Sequence, residues 1–227
     1  MIGGLRFVHL DGWCAVIDKP GGLLSVPGRG PDKQDSVVSR LRCLLPWCLA
    51  QPAVHRLDMA TSGLMVLGLT GPVHRHLSAQ FARHQVVKEY VALLDGEVDG
   101  EGGEIRLGFR LGPDNRPHQV YDPEGGKEGI TRWRRIGERD GRTLVVFVPL
   151  TGRTHQLRLH AAHPLGLGCP IVGDSLYGRG RPGDRLMLHA AALGFTHPAS
   201  GQRMGFTSPP PFLFPVFGRP GRVSGHP

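Results

Sequence analysis

The pattern of this chain is strand-rich with a few helices, and a single α+β domain agrees with it. Strand-sized apolar runs bounded by turn residues outnumber the helical patterns, and two Asp-Gly pairs, Asp11-Gly12 and Asp140-Gly141, sit between such runs as hairpin turns. No internal repeat and no linker divides the 227 residues into separate units. Length alone permits one domain or two, so the missing linker is what favours one.

The elements follow in order. Phe7 to Asp18 reads as two strands around the Asp11-Gly12 turn, and Lys19-Pro20-Gly21-Gly22 ends regular structure. A helix starts near Asp35 or Ser36 as N-cap, carries Val37, Val38, Leu41, Leu44 and Leu45 on one face, and stops at Pro46. In His55-Arg56-Leu57-Asp58, period two places Arg56 and Asp58 on one face of a short strand, with His55 and Leu57 on the other. Thr61-Ser62-Gly63 breaks that strand before the apolar run Leu64 to Leu69, which puts Asp58 on a loop between two buried strands.

Thr70 and Pro72 suit the first turn of a second helix, in which Val73, Leu77 and Phe81 recur every four residues and His74, His76 and His84 take the solvated side. Val86 to Leu94 is the next strand, with Lys88 and Tyr90 on the same face. Asp95 to Gly129 is rich in Gly, Pro and scattered charge, with short strands expected at Glu104 to Phe109 and near Gln119 to Tyr121. Ile130 to Ile136 and Arg142 to Leu150 form an antiparallel pair about Asp140-Gly141. A helix then begins near Thr154, and a late strand lies at Leu188-His189-Ala190. The Pro- and Gly-rich residues from Pro209 onward, above all 212–227, are expected to fray.

Composition narrows the function classes. Hydrophobic residues make up 40% and charged residues 20%, which argues against global disorder, and no apolar run approaches the roughly 20 residues of a membrane span. The amino terminus has no charged region followed by an apolar core, so a cytoplasmic protein is the default. Cys14, Cys43, Cys48 and Cys169 include no Cys-x-x-Cys pair and read as buried free thiols, not as a disulfide framework or zinc site. A net charge of +8, with 27 basic against 19 acidic residues, favours a polyanionic partner such as nucleic acid.

Taken alone, Arg56 and Asp58 have an ordinary reading, a carboxylate that caps a turn and pairs with a neighbouring cation. The whole string His55-Arg56-Leu57-Asp58-Met59-Ala60-Thr61-Ser62-Gly63 resembles the signature of the RluA family of RNA pseudouridine synthases. Asp18 to Pro27, Lys88-Glu89-Tyr90, Asn115-Arg116-Pro117, Leu150 to His160 and Pro170 to Asp174 with Tyr177-Gly178 resemble further blocks of that family in the expected order. The likeness spans about residues 5–211 and is strongest to the subgroup that modifies both the tRNA anticodon stem-loop (a uridine 32 type site) and a hairpin of 23S ribosomal RNA (a uridine 746 type site). Cys169 and Ile130 depart from the pattern, where His and Ala are usual.

The resemblance implies the pseudouridine synthase fold, a mixed and largely antiparallel sheet with flanking helices and a basic cleft, as one catalytic domain over 5–211. It also implies that the small amino-terminal RNA-binding domain of many members is absent. Asp58 is then the nucleophile, Tyr90 lies beside the flipped uracil, and Arg158 pairs with Asp58. Arg56 fills the space the base leaves, and Lys88, Arg153 and Gln156 are further RNA contacts. No cofactor, metal or obligate protein partner is implied, and a monomer acting on tRNA or 23S rRNA is expected.

Three rivals are weaker. A metalloenzyme would need the residues His155, His160, His163, Cys169, Asp174 and His189 to show a recognised ligand spacing, and they do not. A nucleoside hydrolase using Asp58 usually needs a second carboxyl group, and none stands out in a motif. A non-catalytic RNA-binding protein would have little use for the intact Asp58, Tyr90 and Arg158 set. A family member acting on another rRNA or tRNA site is the alternative within the same class.

Overall fold

A computed structural model describes residues 3–113 and 116–213. Its ten strands form one sheet in the order β1-β2-β3-β9-β4-β8-β7-β5-β6, with β10 beside β9. The first hairpin is β1 (Arg6–Leu10) and β2 (Cys14–Lys19), followed by α1 (Val37–Leu44), β3 (Ser62–Gly68), α2 (Gly71–Ala82) and β4 (Val87–Leu94). Then come β5 (Gly102–Leu111), β6 (Gln119–Tyr121), β7 (Lys127–Arg139), β8 (Arg142–Pro149), α3 (Gln156–Ala162), β9 (Leu188–Thr196) and β10 (Arg203–Thr207). Every pairing is antiparallel except β3 with β9, so the sheet is mixed and largely antiparallel.

The apolar runs that lack alternation are strands covered on both faces. In β2, Ala15 and Ile17 pack with α1 through Val37, Val38 and Leu41, whereas Cys14 and Val16 pack with α2 through Val73 and Leu77. β3 divides likewise, Met65 and Leu67 to one side and Leu64 and Val66 to the other. In β8, Val145 and Phe147 meet Leu157, Leu159 and Ala161, and Leu144 and Val146 turn away. Tyr90 bridges the α1 and α3 clusters, so both helices lie on one face with a cleft between them.

Local signals set the ends of the helices. Ser36 caps α1 in a reciprocal box with Ser39, and Pro72 stands in the first turn of α2 after Thr70. Four sequence expectations are corrected. His55 to Asp58 is irregular backbone, because the edge of β3 there is held by the His55 ring instead of a strand. His74 is half-buried, within hydrogen-bonding distance of the Ala53 carbonyl, and is not solvated. Cys43 is exposed and Cys169 partly so, leaving Cys14 and Cys48 as the buried thiols. Phe212 is buried against Val91, Leu93 and Leu144 and Leu213 packs on the same cluster, so packed structure continues past residue 211, and residues 214–227 lie outside those described. Asn115 also lies outside them, and no helix of those described is long and apolar enough to cross a membrane.

Candidate active site

The loop that carries Asp58 is built from backbone groups satisfied by buried side chains. Lys19, fully buried, donates from Nζ to the carbonyls of Pro20, Leu23 and Met59 at 2.9, 2.7 and 3.0 Å. The Gly22 N–H adds a second bond to the Met59 carbonyl, and Thr61 N–H closes a turn on the Asp58 carbonyl at 3.1 Å. Ahead of Asp58, Leu57 is buried and both its backbone groups bond to the Ser25 hydroxyl. Beyond it, Ser62 pairs with His189, and Gly63, at φ 111°, passes so close to the Ala190 backbone that a Cβ would stand 2.4 Å from its carbonyl oxygen.

The alternation read from the sequence survives although the strand does not. His55 turns inward, its Nε2 accepting the Val66 N–H at 3.1 Å while the ring stacks on Phe81. Burial, with the charge of Lys88, lowers its pKa to about 3, which keeps it a neutral acceptor. Arg56 is exposed and has no ion pair or hydrogen bond among the described residues. Asp58 is half-buried and its carboxylate likewise makes no hydrogen bond within the described protein.

One cavity of about 170 Å³ collects the predicted residues: Asp58, Tyr90, Arg158, Arg56, Arg153, Gln156 and Lys88 all line it. Lys88 and Tyr90 arrive from β4, two residues apart on the same face. Arg158 comes from α3, and the turn before that helix supplies Arg153 and His155. Burial first, and then the Asp58 charge, push the Tyr90 phenol above its usual pKa, so it stands in the cleft as a neutral ring. Burial lowers the Lys88 ammonium. Lys19 is lowered to about 7 by burial, and the Asp58 charge opposes that.

Two assignments change with the geometry. Arg158 does not ion-pair with Asp58. Its Nε and Nη2 donate to the two carboxylate oxygens of Asp174 at 2.8 and 2.6 Å, and both partners are buried. Burial works to raise the Asp174 carboxyl, but Arg158 and the N–H groups of Leu176 and Tyr177 bring it below the usual carboxylate range. Arg158 still feels the Asp58 charge, so it faces the candidate nucleophile as a cation fixed by another carboxylate. Gln156 is buried with its amide fully used: Oε1 accepts from Thr151 Oγ1 and the Arg153 N–H, and Nε2 donates to the Ile130 carbonyl and Thr131 Oγ1. It shapes the turn and has nothing left to offer RNA.

Sequence reasoning assigns no role in the cleft to Asp174, Tyr177, Ser25 or Lys19. Each stands inside one of the motif blocks, which is the available signal, but a buried support residue has no local pattern that separates it from its neighbours.

Among the described residues one group of side chains has metal-ligand spacing, His9, Asp11, Cys14 and His197, and none of them lines the cleft. His197 Nδ1 accepts the N–H groups of Ala199 and Ser200, so the ring proton is on Nε2, which donates to Asp11 at 2.9 Å. A metal at Nε2 would displace that proton to Nδ1, against two donors. The cluster therefore fits a hydrogen-bonded fastening of the β1–β2 turn, not a metal centre.

Comparisons with known proteins agree with the geometry. The family model described as RNA pseudouridylate synthase matches residues 14–163. A "Dual-specificity RNA pseudouridine synthase RluA" of Pasteurella multocida is 41% identical over 92% of this chain and 94% of that protein. The Escherichia coli protein of the same description is 40% identical over the same shares. Among solved structures, human RNA Pseudouridylate Synthase Domain Containing 1 superposes with a TM-score of 0.74 at 28% identity, covering 95% of this chain and 87% of that one. Human RNA Pseudouridylate Synthase Domain Containing 4, at a TM-score of 0.72 and 24% identity over 92% and 89%, shares the fold.

Proposed function

The chain belongs to the RNA pseudouridylate synthase family, an isomerase of uridine in RNA, and we propose that it acts on both the tRNA anticodon stem-loop and a hairpin of 23S ribosomal RNA. The observation that carries this reading is the gathering of Asp58, Tyr90 and Arg158 from three separate elements around one cavity. Two targets follow from the likeness to dual-specificity relatives over nine-tenths of both chains. We infer from such substrates a cytoplasmic location, and the reading includes action as a monomer.

Isomerisation breaks the bond from uracil N1 to ribose C1', turns the ring, and joins C5 to C1'. C5 loses a proton and N1 gains one, so there is no net redox change. A target stacked in RNA is extruded first, at a cost of about a few kcal/mol. Arg56 is exposed and unpaired among the described residues, well suited to take the vacated space and hold the backbone. Asp58 is the carboxylate that starts the reaction by attack at C1' or C6 or by promoting a glycal, and the Arg158 guanidinium faces it across the cleft. Tyr90 stacks on the uracil. Its raised pKa keeps it a protonated phenol in the resting enzyme, so it takes the C5 proton only after its own hydroxyl proton has been passed to N1, the atom that gains one. Lys88 and Arg153 supply phosphate contacts and a salt-dependent affinity.

Tritium release from RNA labelled at uracil C5 tests the proposal, using tRNA and 23S fragments with wild type and Asp58→Asn. Release by wild type from both RNAs and by the variant from neither is expected. No release from any RNA by wild type would overturn it, and release from one alone would remove the dual target.

A further inference from the structure

Gln119, Tyr177 and His155 form a short hydrogen-bonded chain that ends in the cleft. The Gln119 N–H donates to the Tyr177 hydroxyl oxygen at 2.7 Å, and that hydroxyl stands 2.9 Å from His155 Nδ1. A backbone N–H can only donate, and His155 is the remaining partner of the hydroxyl among the described residues. The arrangement that gives every proton an acceptor has Tyr177 O–H donating to Nδ1, which leaves the ring proton on Nε2. Nε2 has no partner among the described residues and is not sealed from solvent, while His155 lines the same cavity as Asp58.

The surroundings hold this ring in place. His155 sits at φ 57°, in the left-handed region that residues other than Gly seldom take, and such backbone strain concentrates at functional sites. Tyr177 is fixed in turn by Asp174, which accepts its N–H at 3.1 Å, and its ring lies 5.3 Å from the Arg158 guanidinium carbon. Burial is the largest influence on the imidazole and leaves it below the usual histidine pKa, neutral at neutral pH, although Asp58 pulls the other way.

We infer that His155 donates its Nε2–H to a carbonyl oxygen of the extruded uracil, as a catalytic residue beside Asp58, Tyr90 and Arg158. The inference rests on the reading of the cleft as a uridine-isomerising site. When the N1–C1' bond breaks, its electron pair goes to N1 and spreads onto O2 and O4. A preorganised donor on either oxygen binds that anion more strongly than the neutral base, which lowers the barrier. The proton stays on the imidazole, so no transfer has to be balanced elsewhere.

The test combines single-turnover tritium release from C5-labelled RNA with filter-binding affinity, on the full chain. Wild type is measured first on the anticodon stem-loop and the 23S hairpin, and absence of release from both is the failure of the underlying reading, separate from the variants. His155→Ala is expected to slow release at least about tenfold while Kd stays within about twofold. His155→Gln, which restores an N–H donor at similar reach, recovers most of the rate. Tyr177→Phe, which keeps the ring and removes the hydroxyl that fixes the tautomer, slows release by about threefold or more. A wild-type rate in His155→Ala, a loss confined to Kd, or a His155→Gln rate no better than His155→Ala at equal melting temperature overturns the inference. Where His155→Ala does not fold, a wild-type rate in Tyr177→Phe does so.

Discussion

The Ser25 hydroxyl satisfies both backbone groups of Leu57, accepting its N–H at 3.0 Å and donating to its carbonyl at 2.6 Å. Both residues are buried, so no water stands ready to replace the hydroxyl. Asp58 follows Leu57 directly, and the position of the proposed nucleophile depends on a serine from a distant loop.

Ser25→Ala leaves two buried backbone groups without a partner, each worth about 1–3 kcal/mol. For a chain of this size the melting temperature falls by several degrees, about 2–4 °C per kcal/mol. Tritium release at saturating RNA falls as well, because the loop relaxes around the reacting carboxylate. An unchanged melting temperature in calorimetry would contradict the geometry.

Asp58→Asn behaves differently. The Asp58 carboxylate makes no hydrogen bond within the described protein, so its replacement removes no internal bond; only its charge facing Lys19 and Arg158 is lost, and stability falls by about 1 kcal/mol or less. Tritium release disappears while RNA affinity stays near that of wild type. A large loss of stability would show that the carboxylate supports the fold.

Much of this was legible in the sequence for identifiable reasons. Hairpin turns at Asp11-Gly12 and Asp140-Gly141, the Ser36 cap and the uninterrupted apolar runs of β2, β3 and β8 are local signals, and each marks an element that formed. β10 went unforeseen although Met204 and Phe206 alternate with exposed neighbours, because two apolar residues in a run of five are too few to tell a strand from a loop. The seven candidate residues converge on one cavity, but which carboxylate holds Arg158 could not be read locally. Asp58 and Asp174 both stand in motifs, and only the fold brings Asp174 against the guanidinium.

Arg158→Ala therefore does more than slow the chemistry. It strands the Asp174 carboxylate, buried and unpaired, at a cost of about 3–5 kcal/mol. Asp174→Asn is the complementary change: it destabilises by a similar amount and slows release although Asp174 does not line the cleft. Urea unfolding of the two single variants and the double variant gives a coupling energy. A double variant as unstable as the sum of the singles would show that the pair is not coupled.

His55 predicts an acid-sensitive fold. The folded ring has a pKa of about 3, against about 6.5 unfolded, so between those values the unfolded chain binds the extra proton. Stability is thus full above about pH 6.5 and declines as pH falls towards 3, by at most about 1.4 kcal/mol per unit from this group. Burial lowers His160 to about 4 in the same sense. His55→Gln starts less stable at pH 7 but shows a shallower decline in urea titrations from pH 7 to pH 4. Equal slopes would mean that the His55 ring is not held neutral.

Arg56 gives the most direct separation of binding from chemistry. The guanidinium is exposed at the cavity and spends its charge on no protein carboxylate among the described residues, so its charge is available to RNA phosphate. Removing one cation that neutralises a phosphate reduces the slope of log affinity against log salt by about 0.7–0.9. Arg56→Ala should weaken binding, flatten that slope by about this amount, and leave the rate at saturating RNA far above that of Asp58→Asn. Arg56→Lys restores the salt slope, since the charge remains, but not the full rate, because the slender ammonium chain fills the space of an extruded base less well than the planar guanidinium. A wild-type salt slope in Arg56→Ala would place the arginine away from the RNA backbone.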